Sequence, residues 1–154
     1  MMEQQQDVSA GVILSVNVSD RKGQKKHAVG EVVLKEDFGI ENDAHAGMEI
    51  RQVSLLAQES IDRIRALGLE VGPGDFAENL TTKGLVLHTL PLGTRLLVGD
   101  HVLLELTQIG KTCHDRCAIF KAVGDCVMPR EGVFVRVLSG GTVKEGDDIR
   151  VVGS

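Results

Sequence analysis

The 154-residue sequence predicts a single, mainly β domain built as a barrel. Three observations carry that expectation. Short runs rich in Val, Ile and Leu recur along the chain, about seven or eight of them at strand length. Turn residues separate these runs, with 18 Gly against only 3 Pro. Only one stretch repeats its apolar residues at a clear helical period. Hydrophobic residues make up 42% and charged residues 25%, as in ordinary globular domains. With four Phe and no Trp or Tyr, the core has to be built from Val, Leu and Ile.

Residues 1–9 read as a disordered terminus and residues 10–154 as one domain, without an internal repeat or linker. "GVILSVNVS" from Gly11 is a strand by its β-branched content. "DRKGQKKH" is polar and basic and reads as an exposed turn, and "AVGEVVLKEDFG" as a second strand. "GIENDAHAG" has no apolar period and lies between Gly39 and Gly47, so it is a loop. "RQVSLL" is a short strand. In "AQESIDRIRALG" the spacing of Ile61, Ile64 and Leu67 predicts a helix, with Gly68 where a C-terminal cap belongs. "EVGPGDF" is a turn, followed by extended pieces in "ENLTT" and "LVL" around Lys83-Gly84. "TRLLVGDHVLLELTQIG" predicts two strands meeting at the hairpin dipeptide Gly99-Asp100. "CHDRCAIFKAVG" is partly helical, and "GVFVRVLSGGTVKEGDDIRVVG" closes the chain as strand, turn, strand.

Charge narrows the function classes. A formal net charge of −5, with few aromatic residues, argues against nucleic-acid binding. No apolar run approaches the ~18 residues that span a bilayer, so no membrane partner is expected. The polar start "MMEQQQDVSAG" does not resemble a secretory signal, which places the protein in the cytoplasm. In that reducing compartment an odd count of 3 Cys disfavours a structural disulfide.

All three cysteines fall in "GKTCHDRCAIFKAVGDCVMPREG", as Cys113, Cys117 and Cys126. Zinc is one reading, since Cys113 and Cys117 have ligand spacing, but the second pair would join His114 to Cys126 with His114 directly beside Cys113. A reactive thiol is another. Lys111, His114 and Arg116 surround Cys113 in sequence, and Arg130 lies four residues after Cys126; positive charge favours the thiolate, which is both nucleophile and soft-metal ligand. The bland reading is three buried small hydrophobes. On residues alone these stay open.

The order and spacing of "GIENDAHAG" with "RQVSLL", "GDFAENLTTKGL", "LLVGDHVLLELTQIGKTCHDRC" and "CVMPREGVFVRVLSGGTVKEGDDIRVV" resemble the MOSC domain family, named for the C-terminal region of molybdenum cofactor sulfurase. The likeness runs over most of the chain and is greatest to short, stand-alone bacterial members. It implies a MOSC-type β-barrel with a few short helices and a pocket with an essential cysteine. It also implies binding of the molybdenum cofactor (molybdopterin) through cysteine sulfur, or carriage of sulfur as a persulfide. A sulfur transferase or a molybdenum cofactor-dependent activity would follow, with a cofactor or sulfur donor or acceptor protein as partner. A non-catalytic carrier or regulatory module is the alternative, and a structural zinc protein a further one.

The family's cysteine patterns land on Cys113 and Cys126, which the resemblance makes the catalytic thiols and the candidate molybdenum ligands, with Cys117 in support. Gly110-Lys111-Thr112 replaces the family's usual basic and proline residues before Cys113. Asn42 stands where the family has a second Gly; Asn tolerates the left-handed conformation that such a Gly suggests. Asp43 and His45 follow as pocket-lining candidates, against a bland reading of an Asx turn and an exposed His. Glu78 and Asn79 are candidates for a pterin edge, against turn-pinning bonds to backbone. Lys111, Arg130 and Arg136 are candidates for the cofactor's anionic groups, as is Arg51 with less support. Arg136 shares a strand face with Phe134 and Leu138, so it requires an anion or a carboxylate, for which Glu105 and Glu131 are available.

Overall fold

The computed structural model describes residues 10–19, 26–43, 46–47, 51–110 and 131–153. Within them the strands are β1 (Ala10–Val18), β2 (His27–Ala28), β3 (Glu31–Lys35), β4 (Gly39–Ile40), β5 (Val53–Ala57), β6 (Leu80–Lys83), β7 (Arg95–Val98), β8 (Val102–Ile109), β9 (Val133–Ser139), β10 (Gly141–Lys144) and β11 (Asp148–Gly153). The helix α1 (Gln58–Arg65) follows β5. The expected β class holds.

Seven strands close on themselves in the order β1, β6, β5, β9, β8, β7, β11 and back to β1, a barrel with no free edge. β2 extends the sheet beyond β1, and β10, β3 and β4 form a separate three-stranded sheet. Alternation sets the inside of the barrel. Val133, Val135 and Val137 point in from β9, Leu104 and Leu106 from β8, and Val53 and Leu55 from β5, all within one buried cluster. The even-numbered residues of β9 face outward, and there Phe134 is buried for a different reason: α1 lies across it. Ile61 and Ile64 of α1 pack on Leu56, Val71, Phe76 and Phe134 as a second cluster outside the barrel. Gly68, past the helix, takes φ 101°, as a C-terminal stop requires.

β5 and β6 are parallel neighbours, which a hairpin cannot connect; α1 and the residues after it supply the crossover. Strand directions then define two ends. β5, β6, β8 and β11 run toward one end and β1, β7 and β9 toward the other. The segment between Gly110 and Glu131 leaves and re-enters at the first end. The loop with Asp43 and the turn preceding Leu80 lie at the second.

Three elements differ from expectation. "AVGEVVLKEDFG" is broken into β2, β3 and β4, because Gly30 and Asp37 adopt φ 84° and 51°. "LVL" is not a strand: Leu85 and Leu87 turn into the barrel core from the loop after β6. The last reversal contains an extra strand, β10, whose partner is β3, far back in the chain. Gly99, at the predicted hairpin, has φ 61° and joins β7 to β8.

Candidate functional site

Asp43, Glu78 and Asn79 come together at the second end, in one buried polar network on the outer face of β1, β6 and β5. β1 builds its centre. Ser15, Asn17 and Ser19 alternate with Val16 and Val18, so the valines enter the barrel while the polar side chains face out. All three polar residues are nevertheless buried, because the loops around Lys26 and Gly74 cover them.

Asp43 is pinned rather than presented. Its Oδ1 accepts from Lys26 Nζ at 2.8 Å and from the Ser19 amide at 3.1 Å, and both side chains of the Lys26–Asp43 pair are fully buried. Lys26 Nζ also donates to Ser19 Oγ. The exposed turn expected for "DRKGQKKH" is thus overturned at Lys26, whose stem and charge are taken inside by Asp43. Asn42 has φ 67°, the left-handed conformation anticipated from its place in the family pattern. His45 lies outside the described residues.

Lys26 links to the other candidates through the Gly74 backbone. The Lys26 amide donates to Gly74 O at 2.8 Å, and a Cβ on Gly74 would lie 2.2 Å from Lys26 O. Only glycine permits that approach, at φ 88°. The Gly74 amide donates to Glu78 Oε2 at 2.9 Å, and Thr81 Oγ1 donates to the same oxygen at 2.6 Å. Glu78 Oε1 has no hydrogen-bond partner among the described residues, although the side chain is fully buried. Burial pushes this carboxyl above the usual glutamate range, and the Gly74 and Thr81 bonds pull against it.

Asn79 is engaged on both ends of its amide. Oδ1 accepts from the Ser54 amide at 2.9 Å and from Ser54 Oγ at 3.2 Å; Nδ2 donates to Asn17 O at 3.1 Å. Asn17 Nδ2 donates to Glu78 O and Thr81 Oγ1, and Ser15 Oγ donates to Asn17 Oδ1. These are bonds that hold β1, β5 and β6 in register and set the turn entering β6.

Arg136 lies on the barrel wall. Its Nη2 donates to Glu105 Oε1 at 2.7 Å, directly across from it on β8. The carboxylate that an arginine on that face requires is therefore Glu105. Arg51 stacks its guanidinium over Phe134, 5.7 Å from the ring centroid. A surface hollow at the end of α1, lined by Arg65, Gly68, Leu69, Glu70 and Val71, includes none of the predicted site residues.

Lys111, Cys113, Cys117, Cys126 and Arg130 lie outside the described residues, but the anchors of their segment do not. The Gly110 amide donates to Gly132 O at 2.5 Å, and Gln108 Nε2 to Gly110 O at 2.8 Å. The segment thus starts and finishes at one point. Glu131 moors that point to α1: its Oε1 accepts from Ser60 Oγ at 2.5 Å, and its Oε2 pairs with Arg63. Among the described residues no three His, Cys, Asp or Glu side chains group as a metal site.

Sequence reasoning did not single out Lys26, Asn17, Ser15, Ser54 or Thr81. The alternation in "SVNVS" is the one local signal, and it reads equally as a solvated face.

Comparison with known proteins places these features in a family context. The MOSC domain model matches residues 42–150. The YuaD protein from Bacillus subtilis superposes with a TM-score of 0.80 at 18% identity, covering 94% of this chain and 97% of that one. YiiM from Geobacillus stearothermophilus gives 0.66 at 20% identity, over 92% and 75% of the two chains. YiiM from Escherichia coli gives 0.64 at 20% identity, over 94% and 70%. No curated protein matches the chain. Among the described residues, no helix is long and apolar enough to cross a membrane.

Proposed function

We infer the function from one premise: this chain belongs to the MOSC domain family. It handles sulfur or the molybdenum cofactor through a cysteine of the segment between Gly110 and Glu131. The observation that carries this reading is the anchoring of that segment. Every cysteine of the chain sits on a single excursion, closed at its base by Gly110 and Gly132 and fixed to α1 through Glu131. A rigid scaffold that anchors both ends of a segment is how folds commonly position reactive groups.

Cys113 and Cys126 are the proposed thiols. Lys111 and Arg130, their sequence neighbours, favour the thiolate and hold anionic groups of a substrate or cofactor. Arg51, stacked on Phe134 two residues from Gly132, adds a cation beside the base. As a sulfur carrier, the thiolate attacks the outer sulfur of a persulfide on a donor protein. The donor's S–S bond breaks, its thiolate leaves, and the new persulfide remains on this chain with no net change of oxidation state.

The donor set also suits molybdenum. Thiolate is a soft ligand, and the three thiols are the chain's only such groups apart from methionine sulfur. Bound there, the cofactor would supply two-electron oxygen- or sulfur-transfer chemistry. Cys113 or Cys126 would hold the metal, while Lys111, Arg130 and Arg51 would hold its anionic tail.

Purification without oxygen or reductant, from a host that makes the cofactor, tests this. Molybdenum, pterin and cyanolysable sulfur are measured in the wild type, in Cys113→Ser and in Cys126→Ser. Sulfur or molybdenum lost with one of these substitutions supports the reading. Absence of all three from the wild type refutes it. Stoichiometric zinc that depends on Cys117 would assign the segment to a structural metal instead.

A further inference from the structure

We propose that Glu78 is a proton-operated latch: protonated, it holds the Gly72–Ala77 turn down on Lys26 and β1, and deprotonated, it releases that turn together with the loop that carries Asp43. The latch requires none of the cysteine chemistry.

The geometry is one-sided. The two short bonds to this carboxyl, from the Gly74 amide and Thr81 Oγ1, both engage Oε2, and the Phe76 and Glu78 amides add a weaker pull toward the charged form. Thr81 Oγ1 already accepts from Asn17 Nδ2, so its single hydrogen is the one given to Glu78. Oε1 is buried without a donor among the described residues. A carboxylate there would leave half its charge unsolvated, whereas a carboxylic acid leaves at most one neutral O–H unmet, the smaller cost. Losing the proton therefore favours any motion that admits water to Oε1.

The part that can move is the covering turn. Gly74 and Ala77 both sit at positive φ, 88° and 65°, and Ala77 is strained there. Lifting the turn breaks the Gly74–Glu78 and Lys26–Gly74 bonds together. Lys26 is also bonded to Asp43, so the release reaches the "GIEND" loop.

Among the described residues, three charged groups adjoin the Glu78 turn. From the preceding loops there are Lys26 and Asp43, which neutralise each other. From its own turn there is Asp75, whose Oδ2 accepts the Gly72 amide. Among the described residues, β1 and β6 present uncharged Ser15, Asn17 and Thr81 there. Burial raises the Glu78 carboxyl, so the closed turn is fully held below the ordinary glutamate range and loosens as pH rises through the raised value.

Amide hydrogen exchange on the full chain, corrected for base catalysis, tests the latch. In the wild type, protection of the Gly74 and Lys26 amides should fall by up to about tenfold per pH unit between the ordinary glutamate range and the raised Glu78 midpoint, one proton being released on opening, and level off above it. In Glu78→Gln it should be independent of pH. Protection that is flat with pH in the wild type, or that falls equally in Glu78→Gln, overturns the proposal. Carboxyl carbon NMR of the wild type gives a second reading that does not depend on the variant folding. A Glu78 signal titrating above the ordinary glutamate range, in step with the Gly74 amide shift, supports the latch; titration within that range overturns it.

Discussion

Replacing Lys26 by Met tests whether the Lys26–Asp43 pair is a structural pin. The Nζ–Oδ1 distance is 2.8 Å and neither side chain reaches solvent. Methionine has nearly the shape of the lysine stem, so the packing volume is retained and the ammonium is what goes. Asp43 then loses its buried ammonium partner while keeping the Ser19 amide bond. Breaking a buried pair by removing one partner costs about 3–5 kcal/mol. For a domain of this length each kcal/mol lowers Tm by about 2–4 °C, so the expected fall is about 6–20 °C. Urea unfolding gives the free energy and calorimetry the temperature. The double variant Lys26→Met/Asp43→Leu should recover part of the loss, because no charge remains inside, but not all, because the Ser19 amide loses its acceptor. A Lys26→Met variant within about 1 kcal/mol of the wild type would refute the reasoning, since a surface pair behaves that way.

Other outcomes follow from the same geometry. Asn79→Ala removes the acceptor for Ser54 and the donor to Asn17 O, and should cost about 2–6 kcal/mol in urea unfolding, because each orphaned buried group carries about 1–3 kcal/mol. Arg136→Gln should change stability by less than about 1 kcal/mol, since its pair with Glu105 is partly exposed on both sides. Ile61→Ala opens a cavity between α1 and Phe134 and should cost about 2–5 kcal/mol. The folded Glu78 binds its proton more tightly than the unfolded chain does. Urea midpoints should therefore fall as pH rises through its raised value, and Glu78→Gln should flatten that dependence.

The barrel was legible because its cause is local. Val133, Val135 and Val137 alternate on a single strand, and the Gly99-Asp100 turn and the Gly68 stop are backbone requirements written in individual residues. Asn42 at φ 67° belongs to the same kind, as only a few residue types tolerate that conformation. The search for a carboxylate partner of Arg136 also succeeded, because facing residues on β8 and β9 follow once the hairpin-like pairing is drawn. What was not legible depends on contacts far apart in sequence. Nothing in "DRKGQKKH" distinguishes Lys26 from its neighbours; its burial requires Asp43 and the Gly74 turn to close over it. β10 likewise makes sense only once β3 is beside it. Asn79 shows how the same amide that could read a pterin edge can equally bridge three strands.

Those contacts sharpen the question of how the cysteines meet the rest of the family pattern. The loop with Asp43 and the turn with Glu78 lie at one end of the barrel, and the cysteine segment is rooted at the other. The seven residues of β9, about 23 Å, give the height between those ends.

The mass of the intact, unreduced protein, taken under native conditions after anaerobic purification from a host that makes the molybdenum cofactor, tests the central claim most directly. The account predicts an adduct, either about 32 Da for one sulfur or the mass of the cofactor. It predicts that the adduct disappears in the Cys113→Ser/Cys126→Ser double variant. An unmodified mass for the wild type, or an adduct that survives in the double variant, would contradict it.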